Sequence, residues 1–371
     1  MAPKKEKEKK LSPFEQKMND FLDRHFLHVS VMQKILFVHN LEIMIKAGLS
    51  IVAALKILVS QVDGKGLQKI VGDIGLQVEK GRQLSEVLSE YPKVFPPIYV
   101  SMIASGEASG KMEEALEQVT TQMKKSYELT SRIKGALIYP AVVFTAMVGI
   151  GVEMVVFVLP KIIVMFEDSS SKLPLPTRIM VALVTFMEKN GIYLGIGVIL
   201  FVILCTWLIR IPPIKKVVHR VNLHLPIAGS IIKKINLARF TLTLSSLLQS
   251  SLPIIDSMKI AAMVEGNVIY RAALLDAAER LKKGQALSEI LLDSPQLFPP
   301  MVTGMLNVGE ESGQVEKMLR ELADYYGNEV DVTMKNFATI IEPVIILVMG
   351  LGVAGMAVSV IMPMYSLAQG F

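Results

Sequence analysis

One stretch of this chain occurs twice, and any fold proposed for it must accommodate the duplication. Residues 80–116 read KGRQLSEVLSEYPKVFPPIYVSMIASGEASGKMEEAL and residues 283–319 read KGQALSEILLDSPQLFPPMVTGMLNVGEESGQVEKML. They align at an offset of 203 without a gap, with 17 of 37 positions identical. The identities include Phe95-Pro96-Pro97, Gly106-Glu107 and Ser109-Gly110, each with its counterpart in the second copy. The same offset pairs Phe37 with Phe240, Ile51 with Ile254, Pro140 with Pro343 and Pro160 with Pro363. A repeat this long is one structural unit built twice.

Each unit ends in an apolar segment. Hydrophobic residues make up 51% of the 371-residue chain and mean hydropathy is +0.46, while charged residues are 20% and so must be concentrated elsewhere. Crossing a bilayer takes about 20 apolar residues. Three stretches reach that length: 135–160, with the single charge of Glu153, and 190–209 and 343–362, with none. No secretory signal peptide precedes them, so the first span is expected to act as the targeting signal. The lone cysteine, Cys205, cannot form an intramolecular disulfide.

Between the spans the pattern is helical. Apolar residues recur at helical spacing over 36–58, with a break at Gly48 and a cap at Ser50. Turns follow at 63–66 and 79–81. A short helix covers 84–88, and the prolines at 92, 96 and 97 interrupt it. Another helix covers 98–104, a turn covers 106–110, and a long amphipathic helix covers 111–134. The expected fold is an all-α membrane protein with two homologous helical-bundle domains of about six helices each and three transmembrane helices. Its segments are a charged tail (1–30), the first bundle (31–134), the first span (135–160), a loop (161–189), the second span (190–209), the second bundle (210–339), the third span (340–363) and a tail (364–371).

Charge bias orients the chain. Residues 210–234 carry six Lys or Arg, the loop 161–189 balances four against Glu167, Asp168 and Glu188, and the final eight residues have no charge. Lys and Arg concentrate on the cytoplasmic flanks of spans. Both bundles are therefore expected in the cytoplasm, with the loop and tail outside. The unpaired middle span supports this, because it returns the chain so that both copies share one orientation. The net charge of +5, without a basic stripe interleaved with aromatics, points away from a nucleic-acid partner.

No catalytic constellation is visible. The stretch 106–112 superficially resembles a phosphate loop, but only three residues separate its glycines and Met112 stands where a hydroxyl is needed. His25, His28, His219 and His224 lack cysteine or carboxylate neighbours at metal-ligand spacing. No cofactor, metal or enzymatic activity is expected. Candidate sites are Glu107 and Gly110 with their counterparts Glu310 and Gly313. Two readings fit them: a structural turn between helices, or contact with a partner. Mutation of these glutamates is expected to affect assembly more than the fold. Glu153 is the one acid inside a span, and intramembrane carboxylates default to a functional role.

The paired bundles, three spans, Phe-Pro-Pro and duplicated Gly-Glu-x-Ser-Gly together resemble the GspF/PilC family over roughly residues 30–365. These are inner-membrane platform proteins of type II secretion systems and type IV pili. The resemblance implies a homo-oligomer in the bacterial inner membrane, with the outer loop and tail periplasmic. Its implied partners are a cytoplasmic secretion or pilus ATPase, pilin or pseudopilin subunits, other inner-membrane assembly proteins and the lipid bilayer. A solute transporter, or a scaffold for another membrane complex, is the alternative class.

Overall fold

The computed structural model describes residues 29–158 and 175–368. The charged lead, His25, His28, Pro160, the loop as far as Pro174 and the last three residues lie outside the described residues. Among the described residues there is no strand.

The first copy contains α1 (Val31–Lys46), α2 (Ile51–Gln61), α3 (Lys65–Glu79), α4 (Leu84–Ser89), α5 (Pro97–Ser109) and α6 (Met112–Glu153), and a π turn (Met154–Val158) follows. Then come α7 (Leu175–Leu208) and α8 (Pro212–His224). The second copy contains α9 (Ala228–Gln249), α10 (Ile254–Val264), α11 (Val268–Leu281), α12 (Leu287–Leu292), α13 (Pro300–Ser312) and α14 (Val315–Ala368).

Local chemistry accounts for the helix ends. The Ser30 hydroxyl accepts from the Gln33 N–H at 3.2 Å while the Gln33 side chain accepts from the Ser30 N–H at 3.0 Å, a reciprocal cap. Ser50 caps α2 by accepting from the Ala53 N–H at 3.3 Å. The Phe-Pro-Pro motif divides its labour. Pro97 and Pro300 open α5 and α13, where the missing N–H costs nothing. Phe95 is buried against Phe37 with ring centroids 5.8 Å apart, and Phe298 against Phe240, also at 5.8 Å.

The helices differ from the expected boundaries in three places. Residues 106–109 are not a turn but the last helical turn of α5, and the chain reverses only at Gly110. Neither α6 nor α14 breaks between bundle and apolar segment: α6 runs on through Gly135, which keeps helical geometry, and α14 through Thr339 and Ile340. The stretch 175–189, expected as loop, is helical and continuous with the second span. Pro176 lies in its first turn, where proline is tolerated.

The described chain divides into two compact units. One holds both bundles, the first copy to Glu128 together with Ile235–Tyr326; the other holds Leu129–Lys234 and the chain from Gly327 onward. Within the first unit the copies share a seam. Leu247 and Ile260 of the second copy join the apolar core of the first. Around them the Ser105 hydroxyl donates to the Ser250 carbonyl at 2.7 Å, the Ser246 hydroxyl to the Gln122 side-chain oxygen at 2.6 Å, and Lys125 pairs with Asp324 at 3.2 Å. Among the described residues three helices are long and apolar enough to cross a membrane, α6, α7 and α14, with none of their most apolar windows buried in the protein.

Candidate functional site: the paired Gly-Glu turns

Glu107 sits in the last turn of α5, but its carboxylate serves α4. One oxygen accepts from the Leu84 N–H at 2.7 Å, and the other accepts from the Ser85 N–H at 3.0 Å and the Ser85 hydroxyl at 2.6 Å. These amides open α4, which has no cap from its own preceding residue, Gln83. Glu310 repeats the arrangement. It accepts from the Leu287 N–H at 2.5 Å, the Ser288 N–H at 3.1 Å and the Ser288 hydroxyl. A carboxylate suits this position because the first amides of a helix are unpaired and carry its positive end. Leu84-Ser85-Glu86 and Glu107 recur together because the donors and the acceptor form one clasp.

The glycines have separate tasks. A Cβ on Gly106 would stand 2.2 Å from the Cβ of Ala115, so only glycine lets α5 and α6 approach this closely. At Gly309 the same atom would meet Met318 Cγ and Val315 Cα at 3.0 Å. Gly110 and Gly313 reverse the chain with φ of 71° and 69°, left-handed values that favour glycine. The Lys111 and Gln314 N–H groups then donate back to Gly106 and Gly309 carbonyls, each at 2.8 Å. The first turn also borders the seam, in a cleft of about 180 Å³ shared by Ser105, Ser109, Lys111, Gln249 and Ser251.

A second constellation escaped sequence reasoning. Glu265, the residue that caps the C-terminal end of α10, is fully buried, and neither carboxylate oxygen has a hydrogen-bond partner. Desolvation pushes its pKa up to about 8, against the opposing pull of Arg239 and Arg271. Arg271 instead donates through its terminal nitrogen to the Glu265 carbonyl at 2.8 Å. The signal was present in the repeat register: Glu265, Arg239 and Arg271 replace Val62, Leu36 and Gln68 of the first copy.

Glu153 is exposed on the surface of α6 and is its last residue before the π turn. Among the described residues no three His, Cys, Asp or Glu side chains come together as a metal site.

A duplicated helical bundle on apolar helices of membrane-spanning length, each copy marked by the same carboxylate clasp, defines a class of helical membrane proteins. The chain belongs to the type II secretion system protein F family, whose model matches it twice, at residues 37–160 and 240–363, the same offset of 203. It is similar to the type IV pilus assembly protein PilC of Myxococcus xanthus, with 32% identity over 90% of this chain and 80% of that one. PilC of Thermus thermophilus is 30% identical, covering 90% and 82%. The type II secretion system protein F of Vibrio cholerae is also 30% identical, covering 90% and 81%.

Proposed function

We propose that this chain is an inner-membrane platform of a type IV pilus or type II secretion machine. In this reading it couples a cytoplasmic secretion ATPase to the assembly of pilin or pseudopilin subunits, and it works by binding rather than catalysis. The observation that carries the reading is family membership over both copies, with relatives named for both machines. The charge bias supports cytoplasmic bundles. From a Cys205→Ser background, a cysteine at Ser170 is expected to react with an impermeant maleimide in cells with a permeabilised outer membrane, and one at Gln314 to stay unlabelled. The reverse pattern would overturn the orientation.

The seam supports a homo-oligomer. In repeat register, its residues Ser246 and Ile260 correspond to Ile43 and Ile57, and Ser105 and Gln122 to Val308 and Tyr325. All four counterparts are exposed. A second chain placing its first copy against this second copy would repeat the seam head to tail. Within the bilayer, Glu153 is the polar contact. Its position beside a π turn supports this, since such turns recur at functional sites. Glu153→Gln is expected to preserve assembly and Glu153→Leu to weaken it.

The deciding experiment is co-purification. Full-length protein in nanodiscs is expected to retain a cognate secretion ATPase and to hydrolyse no ATP alone. Intrinsic hydrolysis, or no association with any secretion ATPase, would reject this function.

A further inference from the structure

The segment between the second span and the second bundle has a composition unlike the rest of the chain. From residue 189 to residue 255 there is no acid, and residues 209–228 combine Arg210, Lys215, Lys216 and Arg220 with isolated apolar residues. In α8, Lys216 and Arg220 lie on the exposed side, and so do Val217 at 62% and Val221 at 53% exposure. The opposite side holds Val218, His219 and Asn222, all half-buried, and Leu223 in the last turn is buried. Past the end of α8, Leu225, Pro226 and Ile227 are exposed as well, Ile227 at 61%. Large apolar side chains open to water beside unpaired cations are costly unless something covers them.

Both ends of the segment are tied to helices long and apolar enough to cross a membrane. At the front, α8 starts four residues after Leu208, the end of the α7 span. At the back, Lys234 pairs with Glu329 at 2.7 Å and donates to Thr333 at 2.9 Å on α14. The uncharged run of α14 follows Glu342, about 14 Å along the helix from Thr333 at 1.5 Å per residue. Ile227 precedes Lys234 by seven residues, about 10 Å at the same rise. In the first copy, Lys46 at the end of α1 pairs with Glu113 and Glu117 at the start of α6, so the two helices run in opposite senses. The repeat gives α9 and α14 the same relation, which directs Ile227 towards the apolar part of α14.

We propose that α8 and Leu225–Ile227 form an interfacial anchor that lies in the headgroup layer, with Val217, Val221 and Ile227 entering the acyl boundary and Lys216 and Arg220 binding anionic phospholipid headgroups. The proposal rests on α7 and α14 being membrane spans. The occupant follows from charge and continuity: the cations lack acid partners among the described residues, phospholipid phosphates supply the missing charge, and α8 is covalently joined to a bilayer-spanning helix. Interfacial helices of this kind bury an apolar face about 5–10 Å into the headgroup boundary, and each Lys or Arg near an anionic surface contributes further attraction.

The test uses full-length protein with Cys205→Ser in nanodiscs of phosphatidylethanolamine and phosphatidylglycerol. Single cysteines at Val221, Ile227, Ile199 and Leu292 are labelled with an environment-sensitive fluorophore, and spin labels are placed on lipid headgroups or deep acyl carbons. Labels at Val221 and Ile227 are expected to be quenched by headgroup spin labels several-fold more than the label at Leu292, which is exposed on the bundle. The label at Ile199, inside α7, reports the span through the deep spin labels. Failure at Ile199 would reject the membrane reading itself. Quenching at Ile199 with none at Val221 would reject only the anchor, and a Val221 label shielded from aqueous iodide but unquenched by lipid would reject it in favour of a protein occupant. In native mass spectrometry, Lys216→Gln with Arg220→Gln is expected to lower retention of phosphatidylglycerol over phosphatidylcholine by about fivefold or more at unchanged melting temperature. An unchanged preference would overturn the headgroup contact.

Discussion

At the scale of single residues, charge has been placed for quite different ends in the two copies. Glu107 and Glu310 reach back 22 or 23 residues to close the start of another helix, each with three hydrogen bonds to a carboxylate. Charge-assisted bonds of this type are worth about 1.5–3 kcal/mol each, and losing a cap costs about 1 kcal/mol. The clasp reverses the expectation that these glutamates matter to assembly more than to the fold: Glu107→Ala or Glu310→Ala is expected to destabilise the protein by about 2 kcal/mol and Gln at either site by less, read by thermal unfolding of detergent-solubilised protein. An unchanged melting temperature would favour partner contact as the reason for these residues. Glu265 is the opposite case, a carboxylate denied partners. Its raised pKa means that the folded state holds a proton the unfolded chain releases. The stabilisation is complete below the ordinary carboxylate value near 4.5 and is lost progressively as pH rises to about 8. The slope reaches about 1.4 kcal/mol per pH unit. Glu265→Gln is expected to flatten this dependence and raise the melting temperature at pH 8, where Tyr270, Arg239 and Arg271 remain as its charged or titratable neighbours.

At the scale of elements, α5 and α6 approach closely at Gly106. The Cβ that Gly106→Ala would add faces another Cβ at 2.2 Å, whereas at Gly309 part of the clash is with a flexible methionine. Overpacking costs about 1–3 kcal/mol, so Gly106→Ala is expected to lie at the upper end and to lower the melting temperature more than Gly309→Ala. Much of this architecture was legible in advance. The helix order, the cap at Ser50 and the apolar spans followed from periodicity and turn chemistry, whereas the turn expected from Gly106 onward begins only at Gly110. The partner of Glu107 was not legible, because a carboxylate at a helix end looks the same whether it faces water, its own helix or another. The seam was hidden for a related reason: Ser105, Gln122 and Gln118, whose side chain meets Gln249 and Ser250 of the second copy, are small or polar and read as surface. A further exchange is visible only in three dimensions. Arg82 meets Gln77 and Glu90 in the first copy, while Arg280 meets Gln285 and Asp293 in the second, so arginine and glutamine trade positions in the repeat and keep their contacts.

At the scale of the whole molecule, duplication has produced one body of two bundles rather than two separate modules. Cysteines at Gln122 and Ser246, in a Cys205→Ser background, are expected to form an intramolecular disulfide under mild oxidation, detected as faster migration on non-reducing gels; no shift would reject the seam. The seam also has a consequence in time. Ser105 and Ser250 are 145 residues apart, a separation that takes on the order of ten seconds to synthesise at about 5–20 residues per second. The clasp of Glu107 on α4 can close as soon as its own copy emerges, since local contacts form quickly. The face that will later meet the second copy must wait through the making of two spans. Its serine and glutamine side chains are compatible with that interval in water, so the polarity of the seam suits the schedule of its own synthesis.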